Sequence, residues 1–123
     1  MTYATDRKRA VGLGSAKEGT HHFWSMQVSS IALALLIPLF VFTFGRILGA
    51  PHDEVVAYFS RPFPALVAAG TIAVGFMHFK NGVRVMIEDY TGGLTRTYLI
   101  IGTIIFSYAA AATGLYAIAR IAL

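Results

Sequence analysis

The sequence predicts an all-α membrane protein with three transmembrane helices. Three observations predict it: 56% of the 123 residues are hydrophobic against 13% charged, the mean hydropathy is +0.64, and the apolar residues gather into three long runs. Soluble domains use roughly a quarter charged and just under half apolar residues, so this chain treats lipid as its solvent. Without cysteine there is no disulfide framework, thiolate iron–sulfur cluster, zinc ribbon or thioether-attached haem. Any redox centre must therefore be held non-covalently, by imidazole or carboxylate. The net charge of +4 and the pI near 9.7 do not point to nucleic acid, because Lys and Arg sit in short clusters between apolar runs, as membrane proteins place them.

The chain reads as a single domain over residues 1–123, with an N-terminal arm over 1–22 and spans over about 24–48, 63–90 and 97–121. In the first span, Met26 to Phe44 is an apolar run of about 19 residues, enough at 1.5 Å per residue to cross a hydrocarbon core of roughly 30 Å. Its apolar run is longer than a signal-peptide core and no clean small-residue cleavage site follows, so it reads as retained. Pro38 inside it removes one helical hydrogen bond and predicts a kink. Gly49, Ala50 and Pro51 then break the chain, and Val55 to Phe59 suits a short interfacial turn. Pro62 and Pro64 mark the start of the second span. The third carries Tyr98, Tyr108 and Tyr116 along its length and Arg120 near its end.

Positive charge sets the orientation. Arg7, Lys8, Arg9, Lys17, Lys80, Arg84 and Arg96 fall on the side of the N-terminal arm, against Arg46, Arg61 and Arg120 on the other. The excess places the N-terminus in the cytoplasm, and it survives if Lys80 and Arg84 are left out. His21, His22 and Trp24 then lie at the cytoplasmic edge of the first span, where an amphipathic ring anchors between headgroups and tails.

The second span does not stop where lipid should. Beyond Phe79 come Lys80, Arg84, Glu88 and Asp89 in a pattern that still allows helix. A charge at the bilayer centre costs about 2.5 to 3.5 kcal/mol, so Lys80 and Arg84 either snorkel to the cytoplasmic face or meet a partner. The helix projects from the membrane until Thr91, Gly92 and Gly93 end it, with glycine expected at the C-terminal stop.

His78 is the one histidine inside an apolar span, and Gly75, Gly82 and Asp89 lie within about 60° of it around a helix. Two readings fit. Flanking glycines open room for a flat macrocycle, and neutral imidazole is a common axial ligand of haem iron; alternatively His78 bonds a neighbouring helix and the glycines form a small-residue packing face. A single histidine requires that a second axial imidazole come from another chain. Asp89 and Tyr90 follow roughly 17 Å farther along the helix. A phenol there can donate to a quinone carbonyl beside a carboxylate that holds or passes a proton; tyrosine is equally ordinary at a membrane boundary. Ser29 and Ser30 bond a neighbouring helix, line a quinone pocket or, most simply, bond back to their own helix. His52, Asp53 and Glu54 read as solvated surface.

The run His78-Phe79-Lys80-Asn81-Gly82-Val83-Arg84-Val85-Met86-Ile87-Glu88-Asp89-Tyr90, with its His-x10-Asp-Tyr spacing, resembles the second-helix signature of the hydrophobic membrane anchor subunit, the D subunit, of succinate dehydrogenase. Gly19-Thr20-His21-His22-Phe23-Trp24 is similar to that family's pre-helix segment, and the likeness covers nearly the whole chain. The resemblance implies a membrane-anchor domain forming half of a heterodimeric haem-binding helix bundle. It implies one haem b shared with a cytochrome b556-type C anchor subunit, ubiquinone as substrate, and flavoprotein and iron–sulfur subunits docked on the inner face. It puts His78 at the haem axial ligand and hence the iron, Tyr90 at the quinone and Asp89 at its acidic neighbour. Many members carry an arginine where this chain has Gln27, so a propionate contact passes to Arg84 or to the partner chain. The chain is then no enzyme by itself but a multi-pass subunit in the lipid of a bacterial inner membrane. The competing reading is a cofactor-free structural or assembly subunit of another respiratory membrane complex. A small transporter ranks last, since only one span carries charge and no inverted repeat is evident.

Overall fold

A computed structural model describes residues 5–12 and 19–123. In chain order these form α1 (Asp6–Val11), α2 (Gly19–Gly45), α3 (His52–Phe59), α4 (Pro62–Tyr90) and α5 (Gly93–Ala122). Lys17 and part of the expected arm lie outside the described residues. Helices α2, α4 and α5 are each long and apolar enough to cross a membrane, and the chain is a multi-pass membrane protein.

Helix α4 lies in the middle. Ser29 faces His78, Met26 meets Gly82 and Leu36 meets Gly70, a pairing that runs α2 antiparallel to α4. Lys80 meets Tyr108 and Ile72 meets Gly114, which does the same for α5. Among the described residues α2 and α5 do not pack on each other, whereas α3 touches both α4 and α5. The result is an open layer of three helices with α4 covered on two sides.

Much of the interior is made of small residues, beside Phe59, Val67 and Ile87. Ala65, Ala68, Ser29 and Ser107 are buried, while Phe42, Leu35, Leu66 and Ile105 are exposed. Lipid is as apolar as leucine, so helices in a bilayer gain little by hiding large side chains from it and associate through close approach and polar contacts. At Gly114 a Cβ would stand 3.1 Å from Ile72 Cγ2, and at Gly70 3.4 Å from a Leu36 methyl. Among the described glycines, these two press hardest on a neighbouring helix. The buried hydroxyls of Thr43 and Ser107 donate to carbonyls one turn back, so neither is stranded away from water.

Several boundaries differ from the sequence expectation. Helix α2 starts at Gly19 rather than near 24, because leaving lipid does not oblige a helix to end. The expected turn at Val55–Phe59 is the end of a two-turn helix, α3, with Phe59 buried. Helix α4 begins at Pro62, as the proline pair predicts, and ends at Tyr90. Its stop is not the expected glycine cap: Thr91 is extended and its hydroxyl donates to the Ile87 carbonyl at 2.6 Å, while the positive φ falls on Gly93, the first residue of α5. Helix α5 thus begins ahead of the expected 97.

Candidate functional site

His78 sits near the middle of α4, half-buried against α2. Ser29 Oγ, 1% exposed, donates to the Met26 carbonyl at 2.9 Å and pairs with His78 Nδ1 at 2.9 Å. The expected alternative for His78, a bond to another helix, is therefore present, but among the described residues it engages only one of the two ring nitrogens. Ser29 combines two of its expected roles, bonding back and bonding across. Ser30 only bonds back, donating to the same Met26 carbonyl at 2.8 Å.

The glycines beside His78 do not act as the packing glycines do. A Cβ at Gly75 would meet nothing within 4 Å among the described residues, and one at Gly82 only Met26 Cε at 3.9 Å. Gly75 lines an apolar groove of about 580 Å³ with Phe40, Phe44, Phe76 and Phe79, running toward the α3 end of the molecule. Phe76 and Phe79 meet Phe106 edge-on at 6.4 and 6.3 Å, which closes the α4–α5 side.

At the opposite end a polar groove of about 820 Å³ lies between the start of α2 and the last turns of α4, lined by His21, His22, Ser25, Lys80, Asn81, Arg84 and Glu88 among others. Asn81 donates to Ser25 Oγ at 3.4 Å. Arg84 Nε pairs with Glu88 at 2.8 Å, one turn on. Lys80 finds a partner within this chain: Nζ donates to Tyr108 Oη at 3.1 Å and stands 5.0 Å from the centre of that ring. The lining carries more cationic than anionic groups, which suits an anion.

Asp89 and Tyr90 end α4 on its exposed tip, Tyr90 at 85% exposure. They are not brought together with His78, which lies a little over three turns back along the same helix. Gln27 is exposed, as is Trp24. His52, Asp53 and Glu54 form the exposed first turn of α3, where two carboxylates suit the positive end of a helix. Sequence reasoning did not foresee Arg96. From the first turn of α5 its guanidinium donates to the carbonyls of Thr91 at 2.9 Å and Glu88 at 2.7 Å, capping the end of α4 that carries Asp89 and Tyr90. The only signal was a cation three residues past a glycine pair.

Residues 1–115 match the family of succinate dehydrogenase/fumarate reductase transmembrane subunits. The chain belongs to that family. Among its relatives, the succinate dehydrogenase hydrophobic membrane anchor subunit of Paracoccus denitrificans is 50% identical over 123 residues, covering 100% of this chain and 95% of its own. The subunit of the same name from Rickettsia conorii is 32% identical over 67% of this chain and 66% of its own. No solved structure matches this member of the family. The family of transmembrane subunits agrees with the three long apolar helices.

Proposed function

We propose that this chain is the hydrophobic membrane anchor subunit of a succinate:quinone oxidoreductase in a bacterial inner membrane, and that it holds one haem b jointly with a second anchor subunit. The N-terminus lies in the cytoplasm, where the flavoprotein and iron–sulfur subunits dock. The observation that carries this reading is His78 itself: a half-buried imidazole in a membrane span, tied to α2 through Nδ1 only and flanked by Gly75 and Gly82, whose missing side chains packing inside this chain does not require.

These residues fit a b-type haem. His78 would supply a ring nitrogen to the iron, the glycines leave its helix face flat, and Arg84, with Lys80, His21 and His22 in the polar groove, would meet the carboxylates. His78 is the one histidine well inside an apolar run, so a second histidine for the iron would come from the other anchor chain. When bound, the haem supplies a one-electron relay within the membrane; the polypeptide sets its position and surroundings.

Tyr90 and Asp89 serve the quinone. Reduction to quinol takes two electrons and two protons. The Tyr90 hydroxyl donates a hydrogen bond to a quinone carbonyl, and Asp89 holds a proton route beside it. Both stand on an exposed helix end, so the soluble subunits complete the pocket around them. In complex captured through this chain, Tyr90→Phe is expected to lower succinate-driven quinone reduction on the order of 10²-fold while succinate oxidation by an artificial acceptor persists. Equal loss of both activities contradicts the assignment.

The second reading, a cofactor-free structural or assembly subunit, draws on the Ser29–His78 bond alone, with His78 acting as a bolt between α2 and α4. It leaves the open flank at Gly75 without a purpose.

A further inference from the structure

We propose that Ser29 is a positioning residue for the His78 ligand: its hydroxyl fixes the imidazole as the Nδ1–H tautomer and so presents the Nε2 lone pair to iron. The inference rests on the haem reading above and goes beyond it, because it explains how the ring is held ready. A serine hydroxyl has one proton. Two acceptors lie 2.9 Å from Ser29 Oγ, the Met26 carbonyl and His78 Nδ1. A carbonyl can only accept, so with the proton on Met26 the oxygen faces Nδ1 as an acceptor and the ring nitrogen donates.

The opposite arrangement, with Ser29 donating to Nδ1, puts the ring proton on Nε2 and leaves no lone pair there for a metal. Ser29 is almost wholly buried, so water does not replace the partner that the hydroxyl provides. The bond also joins two helices, so it fixes ring rotation as well as tautomer. Partners of this kind orient metal-bound histidines and raise their basicity. A more basic ligand favours the oxidised metal, so losing the bond raises the midpoint potential.

Docking of α2 on α4 does not hang on this one bond. Asn81 donates to Ser25 a turn away, and Leu36 packs at Gly70 farther along. The test uses the assembled complex, captured through this chain, with Ser29→Ala, Ser29→Thr and Ser29→Val, the last two alike in shape and differing in the hydroxyl. The readouts are haem per assembled complex, rate of haem loss, midpoint potential and the ferric paramagnetic resonance spectrum. The Ala and Val variants are expected to lose haem on the order of 10-fold more readily, with the potential of the remainder shifted upward, while Thr restores wild-type behaviour.

Ala and Val variants that keep wild-type haem retention, potential and spectrum overturn the proposal. So does a Thr variant that behaves as they do, or loss of assembled complex in Ala and Val alone, which assigns the bond to helix docking. If haem is present and lost in His78→Ala but indifferent to Ser29, only this inference falls; if the wild-type complex holds no haem, the haem reading falls and takes this inference with it.

Discussion

An imidazole has two nitrogens, and at His78 they do different work. One is used inside the chain, on Ser29, and the other is what the proposed function needs. The sequence made His78 conspicuous because a titratable ring is rare within an apolar run. It did not reveal the partner, since Ser29 is far away in the chain and only the antiparallel register of α2 and α4 brings the two together. Gly75 shows a similar limit. Glycine beside histidine suits a macrocycle and suits close packing equally well on sequence; the packing glycines prove to be Gly70 and Gly114, and Gly75 faces open space. Gly75→Ala is therefore expected to leave this chain intact and to favour α4 by about 0.5 to 1 kcal/mol, the usual gain of Ala over Gly in a helix, while lowering haem per complex. Haem content equal to wild type would remove Gly75 from the site.

At the scale of the element, length and hydropathy made the three long helices legible, because a span needs about 20 apolar residues and few soluble segments supply them. Their ends were less legible. Composition reports where lipid stops, whereas a helix stops where its terminal carbonyls and amides find other partners. Thus α2 continues back to Gly19 through His21 and His22, and α5 opens at Gly93 before the third apolar run begins. The end of α4 is held by Thr91 from within and by Arg96 from the next helix. Arg96→Ala removes charge-assisted bonds to two carbonyls at an exposed corner, worth about 1 kcal/mol locally. Amide exchange of Thr91, whose N–H donates to Ile87, should quicken about 5-fold, with quinone affinity falling as the Tyr90 end frays. Unchanged exchange would show that Thr91 suffices as the stop.

For the whole molecule, the small buried interior and the exposed Phe, Leu and Ile of α2 and α5 describe a chain that finishes its packing against lipid and partners. The open layer leaves an apolar groove toward one end and a cationic one at the other. Without cysteine, this chain has no thiolate with which to hold an iron–sulfur cluster of its own. The family bears out the membrane role, and the central claim that remains is that this chain lends His78 to a haem. The most direct measurement is a reduced-minus-oxidised optical spectrum of the complex captured through this chain, wild type beside His78→Ala at matched subunit content. The account predicts a b-type signal in the wild type that is lost in the variant with the partner subunits still bound; a signal of equal size in both would contradict it.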